Sequence, residues 1–168
     1  MCTKVKKISK VLEIDNCPTH DLLKAIYKPK FWEVISPVSE IHVKNTAPNV
    51  IFSEMVDNIK YINFPLEMQG ELVFEDKGKQ KGKGHLVEFN VRNNKDVQKL
   101  EGRLRIKPLG QNKSKVGLFI VNFLLENSFL EMLGRDVAEM ILRRKTSDLL
   151  RGVEQYCRKN DLKELLID

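Results

Sequence analysis

The chain has 168 residues, of which 42% are hydrophobic and 31% are charged, and its formal net charge is +6. This length predicts one domain, residues 1–168, with a core that buries about two-thirds of the surface of the unfolded chain. The composition argues against a disordered chain, and no apolar run approaches the ~20 residues that a membrane-spanning helix needs. Because the first residues carry charge without a hydrophobic segment after them, we expect a cytoplasmic protein.

The cysteines and histidines predict neither a metal site nor a cofactor. Cys2, Cys17 and Cys157 are widely spaced and form no CxxC pair, and the three histidines are equally scattered. Free thiols in a reducing compartment are the simplest interpretation.

The N-terminal third begins with a strand and two short helices. Residues 4–14 are rich in β-branched side chains and predict the strand. Pro18 suits the first turn of a helix that ends before Lys28-Pro29, since a residue that precedes proline disfavours helix. A second short helix at residues 31–35 contains Trp32, the only tryptophan.

The middle of the chain alternates apolar and polar residues with period two. This pattern predicts antiparallel strands at residues 38–46, 49–57, 59–76, 85–91, 97–107 and 116–126. The longest run contains Pro65 and Gly70, which indicate a bend, a bulge or an edge position. The last run is apolar on both faces, which is typical of a strand covered on both sides.

Residues 77–84 alternate lysine with glycine and include no apolar residue, so we expect a flexible hairpin tip. With Lys107, Lys113 and Lys115 this segment forms a basic end of the molecule. Simple solvation explains such a cluster, and an anionic membrane surface is its functional interpretation. Nucleic acid is not an expected partner, because no aromatic residue is interleaved for base stacking.

Residues 129–158 contain no proline and predict a helix about 45 Å long. Its early apolar stripe, from Leu130 to Ile141, and its later one, from Leu142 to Tyr156, point in directions more than about 90° apart. Either the helix kinks near residues 144–148, which we favour, or its two halves contact different surfaces. In an unkinked helix, Arg144 or Asp148 would bring charge to the interior, where an acidic ligand headgroup is one candidate partner.

This order of elements resembles the α+β helix-grip fold of the START-related superfamily, which includes polyketide cyclase-like (SRPBCC) proteins. The resemblance implies a curved seven-stranded antiparallel sheet around the C-terminal helix, with two short helices after the first strand. GELVFEDKG at 70–78, GRLRIKPLG at 102–110 and the closing helix are similar to carbon monoxide dehydrogenase G-like members of the superfamily. A cystatin-like cone is the main alternative fold.

The resemblance also implies a cavity between sheet and helix that holds an apolar molecule, and the spacing of apolar residues permits one. A filled core is the alternative, and sequence does not separate the two. The lining residues that we predict are Trp32, Phe64, Leu66, Met68, His85, Phe89, Leu104, Ile106, Leu133, Val137, Met140 and Ile141. His85 shares the apolar parity of its strand but adjoins the lysine-glycine segment, so we expect it at a wet rim.

Three classes of function are compatible with this architecture. The first is binding or transport of an apolar small molecule such as a lipid, a quinone or a polyketide-like compound. The second is a cyclase or dehydratase in the same cavity, which would need two convergent titratable groups; the sequence identifies no catalytic residue. The third is a protein-interaction module with a filled core and an exposed apolar patch. The oligomeric state is not predicted, and residues 159–168 are expected to be a flexible tail or a short packed helix.

Overall fold

The computed structural model describes residues 3–4, 7–59, 64–94, 97–125, 132 and 134–167. The first strand is in two pieces, β1 and β2, followed by helices α1 and α2, strands β3 to β8, the long helix α3 and a short 3₁₀ helix. Their bounds are β1 Thr3–Lys4, β2 Ile8–Asp15, α1 Thr19–Ala25, α2 Pro29–Ile35, β3 Glu40–Ala47, β4 Val50–Ile59, β5 Phe64–Gln80, β6 Gly84–Arg92, β7 Val97–Pro108, β8 Lys113–Leu125, α3 Arg135–Lys159 and the 3₁₀ helix Leu162–Leu166.

All the strands belong to one antiparallel sheet. From β3 to β8 each strand pairs with the next along the chain, and both β1 and β2 pair with β8. Since β1 and β2 occupy the same position, the described residues form seven strand positions. This confirms the predicted α+β class, the seven-stranded antiparallel sheet and the two short helices after the first strand.

The period-two pattern separates the two faces of the sheet. On β7, Leu104 and Ile106 are buried, whereas Arg103, the residue before Leu104, is exposed. The buried face packs against α2 and α3 and contributes most of the hydrophobic core, in which Phe74 and Val87 are almost fully buried. The elements that the sequence predicts as amphipathic therefore enclose one interior.

Helix α3 begins later than predicted. Gly134 precedes it with a φ of 87°, a left-handed conformation that ends a right-handed helix and that glycine adopts without strain. The prediction of one continuous helix from residue 129 is therefore wrong, and residues 126–131 and 133 lie outside the described chain. The helix is unbroken through residues 144–148. A bend of the helix at these residues stays a prediction, as does contact of its two halves with different surfaces.

The lysine-glycine segment is mostly strand, which corrects the predicted loop at residues 77–84. β5 continues to Gln80, only residues 81–83 form the turn, and β6 begins at Gly84. The pairing register of β5 with β6 shifts at a bulge between Asp76 and Gly78, where Gly78 has a φ of 79°. Backbone pairing with β6 thus outweighs the low strand propensity of lysine and glycine.

The C-terminal residues pack against helix α1. Leu162 and Leu165 of the 3₁₀ helix are buried, and the Asp161 side chain accepts a hydrogen bond from the backbone N–H of Lys163. The 3₁₀ helix contacts α1. Asn16 joins the same region by donating from Nδ2 to the Cys157 carbonyl oxygen over 2.6 Å.

Candidate ligand cavity

An apolar cavity of about 290 Å³ lies between the buried face of the sheet and helices α2 and α3. Every strand from β3 to β8 contributes side chains to its wall, and α3 closes it from Leu142 to Val153. The size is at the lower end of the ~300–1,000 Å³ range of small-molecule sites. The wall is mostly aliphatic and aromatic, as such sites usually are.

A second cavity of about 290 Å³ adjoins the first and lies nearer the start of α3. Its own wall includes Val91, Val97, Ala138 and Ile141. Residues common to both cavities form the boundary between them. They are Ser53, Met55, Asp57, Met68, Leu72, Leu100, Leu142 and Lys145.

Three aromatic rings fix the α2 side of the first cavity. Trp32 stacks on Phe74 with centroids 5.8 Å apart and an interplanar angle of 24°, and it meets Phe31 edge to face. Its Nε1–H donates to the Ile26 carbonyl oxygen over 2.8 Å. Because the polar atom of the indole is already bonded within the protein, Trp32 offers the cavity an apolar surface.

One ion pair stands in the boundary between the cavities. Lys145 Nζ lies 2.7 Å from Oδ2 of Asp57 and donates a hydrogen bond to the Pro37 carbonyl oxygen over 2.8 Å. Asp57 is only 5% exposed. A buried carboxylate needs such a partner, because desolvation of an isolated charge is costly. Two titratable groups therefore converge at the boundary of two mostly apolar cavities.

A polar network borders the second cavity at Glu71. Its carboxylate accepts hydrogen bonds from Asn93 Nδ2 at 2.5 Å, Thr46 Oγ1 at 3.2 Å and Arg92 at 3.3 Å. The hydrogen bond from Asn93, aided by Arg92, holds the pKa of the Glu71 carboxyl below its usual range. These hydrogen bonds join Glu71 to β3 and to the end of β6. Its carboxylate therefore stabilises the sheet rather than facing a ligand.

The structure brings several of the predicted lining residues together. Those that line the first cavity are Trp32, Met68, Phe89, Leu104 and Ile106, and those that line the second are Met68 and Ile141. Their contact with a ligand stays a prediction.

Other predicted lining residues lie elsewhere. Val137 borders neither cavity, and Met140 is 40% exposed. The side of α3 that borders the cavities instead includes Ala138 and Leu142. The side chains of Phe64 and Leu66, and Leu133 as a whole, lie outside the described residues.

His85 also stays out of both cavities. Its Nε2 is 2.6 Å from Oδ1 of Asp76, and the two side chains are 22% and 49% exposed. This is the rim of the sheet, next to the β5–β6 turn.

Sequence reasoning missed Asp57 and Lys145. Lys145 lies in the charged segment between the two apolar stripes of α3, for which the sequence suggested Arg144 and Asp148 instead. Arg144 is exposed, whereas Lys145 is partly buried. Asp57 is the last residue of the predicted strand at residues 49–57. A polar residue at a strand end is normally expected to face solvent, so Asp57 did not stand out. The sequence does contain one signal for Lys145. It lies three residues after Leu142, and residues with this spacing share one face of a helix.

A further pair that the sequence did not reveal is formed by Cys17 and Cys157, which are far apart in the chain. Both are fully buried. Interaction with the neighbouring Cys157 thiol, together with burial, raises the pKa of the Cys17 thiol.

Within the described ranges, no group of three or more His, Cys, Asp or Glu side chains is placed to hold a metal ion. No helix in the described part of the chain is long and apolar enough to cross a membrane. Lys79, Lys81, Lys83 and Lys107 are exposed at the β5–β6 end of the sheet. An anionic membrane surface as their partner stays a prediction, as does the cytoplasmic location.

A continuous antiparallel sheet closed by a long C-terminal helix, with an apolar cavity between them, is the helix-grip fold. Solved structures confirm this assignment. A START superfamily protein from Mycobacterium smegmatis matches over 91% of this chain and 97% of that chain, with a TM-score of 0.65 and 9% identity. The Zhui aromatase/cyclase from Streptomyces sp. R1128 matches over 92% and 94%, with a TM-score of 0.67 and 8% identity.

Norcoclaurine synthase from Thalictrum flavum is similar over 95% of this chain and 89% of that chain, with a TM-score of 0.62 and 12% identity. No family model and no curated protein sequence matches the chain. At such identities the likeness establishes the fold alone. The narrower resemblance to carbon monoxide dehydrogenase G-like proteins stays a prediction.

Proposed function

We propose that this protein binds and carries an apolar small molecule, such as a lipid, a quinone or a polyketide-like compound, in the cavity between the sheet and α3. The observation that carries the proposal is the pair of adjoining apolar cavities, each of about 290 Å³. Protein interiors are normally packed to the density of organic crystals, and space of this size costs stability unless a ligand fills it.

The cavities also favour one class of function over another. A protein-interaction module would use a filled core and present its apolar surface outside. Here the unfilled apolar surface is internal. A small molecule therefore suits the geometry better than a protein partner.

Binding of the uncharged fluorophore N-phenyl-1-naphthylamine tests the proposal. Leu72 borders both cavities, so Leu72→Trp should fill the boundary and weaken binding at least about tenfold. Val73 is the next residue on β5 and points to the opposite face of the sheet, where it borders a polar surface groove. Val73→Trp is therefore the matched control and should bind as the wild type does. Equal binding by all three proteins, or none by the wild type, would contradict the proposal.

A second candidate is an enzyme of the cyclase kind, and the Asp57–Lys145 pair favours it. An ammonium group and a carboxylate 2.7 Å apart can polarise a carbonyl and accept a proton from the adjacent carbon. Two of the structural neighbours are named as an aromatase/cyclase and a synthase. These names make acid–base chemistry worth testing in the same cavity.

The two candidates differ in proton exchange at a bound ketone. We would incubate the protein with 7-tetradecanone in D₂O and follow deuterium uptake at the carbons next to the carbonyl by mass spectrometry. Uptake above the buffer rate that is lost in an Asp57→Asn variant would support the enzyme. Binding without exchange would support the carrier.

A further inference from the structure

The Asp57–Lys145 pair stands where the two cavities meet, because both residues belong to both walls. We propose that the ligand spans the two cavities and carries an uncharged oxygen, a hydroxyl or a ketone, near the middle of its length, where Lys145 donates a hydrogen bond to it. This inference rests on the proposed binding function and names the class of ligand.

The hydrogen bonds of Lys145 leave room for such a contact. An ammonium group has three N–H donors. Across the described ranges, Lys145 Nζ has two acceptors, Oδ2 of Asp57 at 2.7 Å and the Pro37 carbonyl oxygen at 2.8 Å. These two bonds hold Nζ in place and leave one N–H for a ligand oxygen. A hydroxyl could in addition donate to the Asp57 carboxylate.

The charge of the pair selects an uncharged group. The positive charge of Lys145 is already balanced by Asp57, so a ligand carboxylate would meet a carboxylate of the protein across the same short distance. Like charges this close are strongly unfavourable in an interior of low dielectric constant. A neutral oxygen accepts the remaining hydrogen bond without that repulsion.

The position of the pair selects a central oxygen. Beyond the boundary, the second cavity continues along Ala138 and Ile141, and the first continues toward Leu150 and Val153. Both continuations are mostly apolar, so a ligand that fills both has apolar segments on each side of the pair. A ligand with its oxygen at one end could satisfy Lys145 only by leaving one cavity empty.

Two positional isomers test this inference because they differ only in where the oxygen lies. We would measure how 7-tetradecanol and 1-tetradecanol displace N-phenyl-1-naphthylamine from the wild-type protein. The central alcohol should bind about tenfold more tightly, the effect expected of one hydrogen bond to a charged donor. Equal binding, or tighter binding of the terminal alcohol, would overturn the inference while the fluorophore signal still supports the proposed function. If the fluorophore itself does not bind, the proposed function fails, and the inference fails with it.

A double variant, Asp57→Asn with Lys145→Met, removes both charges together and so leaves no unpaired charge inside. It should bind the two alcohols equally. The matched control is Glu139→Gln with Arg143→Met, which removes an ion pair of 2.8 Å on the same helix away from both cavities. The control should keep the tenfold preference. A preference that persists in the double variant would also overturn the inference, and the comparison of alcohols on the wild type stands even if the double variant does not fold.

Discussion

Lys145 of α3 and Asp57 of β4 form an ion pair of 2.7 Å that joins the long helix to the sheet across the cavity. The same ammonium group binds the Pro37 carbonyl oxygen just after α2. One side chain thus holds three elements together at the boundary of the two cavities. The pair therefore links these elements, and it is also the main polar feature of the interior.

Loss of one partner should cost more than loss of both. Lys145→Met leaves the carboxylate of Asp57 buried without a counterion, and we expect it to lower the free energy of unfolding by about 3 kcal/mol. The double variant with Asp57→Asn should recover part of that loss. Urea denaturation measures both, with Arg143→Met, which breaks a partly exposed pair within α3, expected to cost about 1 kcal/mol or less. A single variant as stable as the double variant would contradict this account.

Gly152 permits the close approach of α3 to α2. A methyl group at this position would overlap the carbonyl oxygen of Ile35, which is backbone and does not move aside easily. We expect Gly152→Ala to lower the free energy of unfolding by about 1–3 kcal/mol, although alanine favours helix by about 1 kcal/mol. Thermal unfolding measures the change. Arg151→Ala, at the exposed neighbouring position, should be nearly neutral, and a Gly152→Ala protein of raised stability would show that the helices are not in contact there.

The thiols of Cys17 and Cys157 should be unreactive in the folded protein. Both are fully buried, so a reagent in solution does not reach either sulfur, and the neighbouring Cys157 thiol together with burial also raises the pKa of Cys17. In a Cys2→Ser background, dithionitrobenzoate at about pH 8 should label neither thiol before unfolding and both after it. Rapid labelling of either one in the native state would contradict the described packing.

Glu71 should make stability depend on pH. The pKa of its carboxyl is lower in the folded state than in the unfolded state, chiefly through the hydrogen bond from Asn93. Such a group adds stability above its unfolded pKa of about 4.3, and this contribution is lost as the pH falls through the folded pKa.

Glu71→Gln should therefore be less stable than the wild type at neutral pH, and the difference should shrink as the pH falls below about 5. Urea denaturation across this range measures it, with Glu67→Gln, at an exposed position of the same strand, as the control. A difference that stays constant with pH would contradict the lowered pKa.

Periodicity predicted the elements because each one buries a single face. The alternation in β7, with Leu104 in and Arg103 out, is sufficient to place that strand. The start of α3 was missed because the absence of proline suggested one continuous helix, although Gly134, whose φ is 87°, is of the residue type that commonly ends a helix. The strand through residues 77–80 was missed because pairing with β6, rather than local preference, determines it.

The candidate site was predicted only in its apolar part. Trp32, Phe89 and Ile106 lie on the apolar faces of their elements. Those faces are buried, and they border the cavity. The ion pair of Lys145 with Asp57 joins residues far apart in sequence, and the thiol pair does the same. No local pattern encodes such contacts, since they depend on how α3 is seated on the sheet.

Native mass spectrometry of the purified protein, with organic extraction of whatever co-purifies, tests the central claim most directly. The account predicts one apolar molecule per chain, which organic solvent removes and which the Leu72→Trp variant fails to retain. A ligand-free protein whose thermal stability is unchanged by a panel of lipids, quinones and long-chain ketones would contradict it, because a cavity-binding ligand must stabilise the folded state.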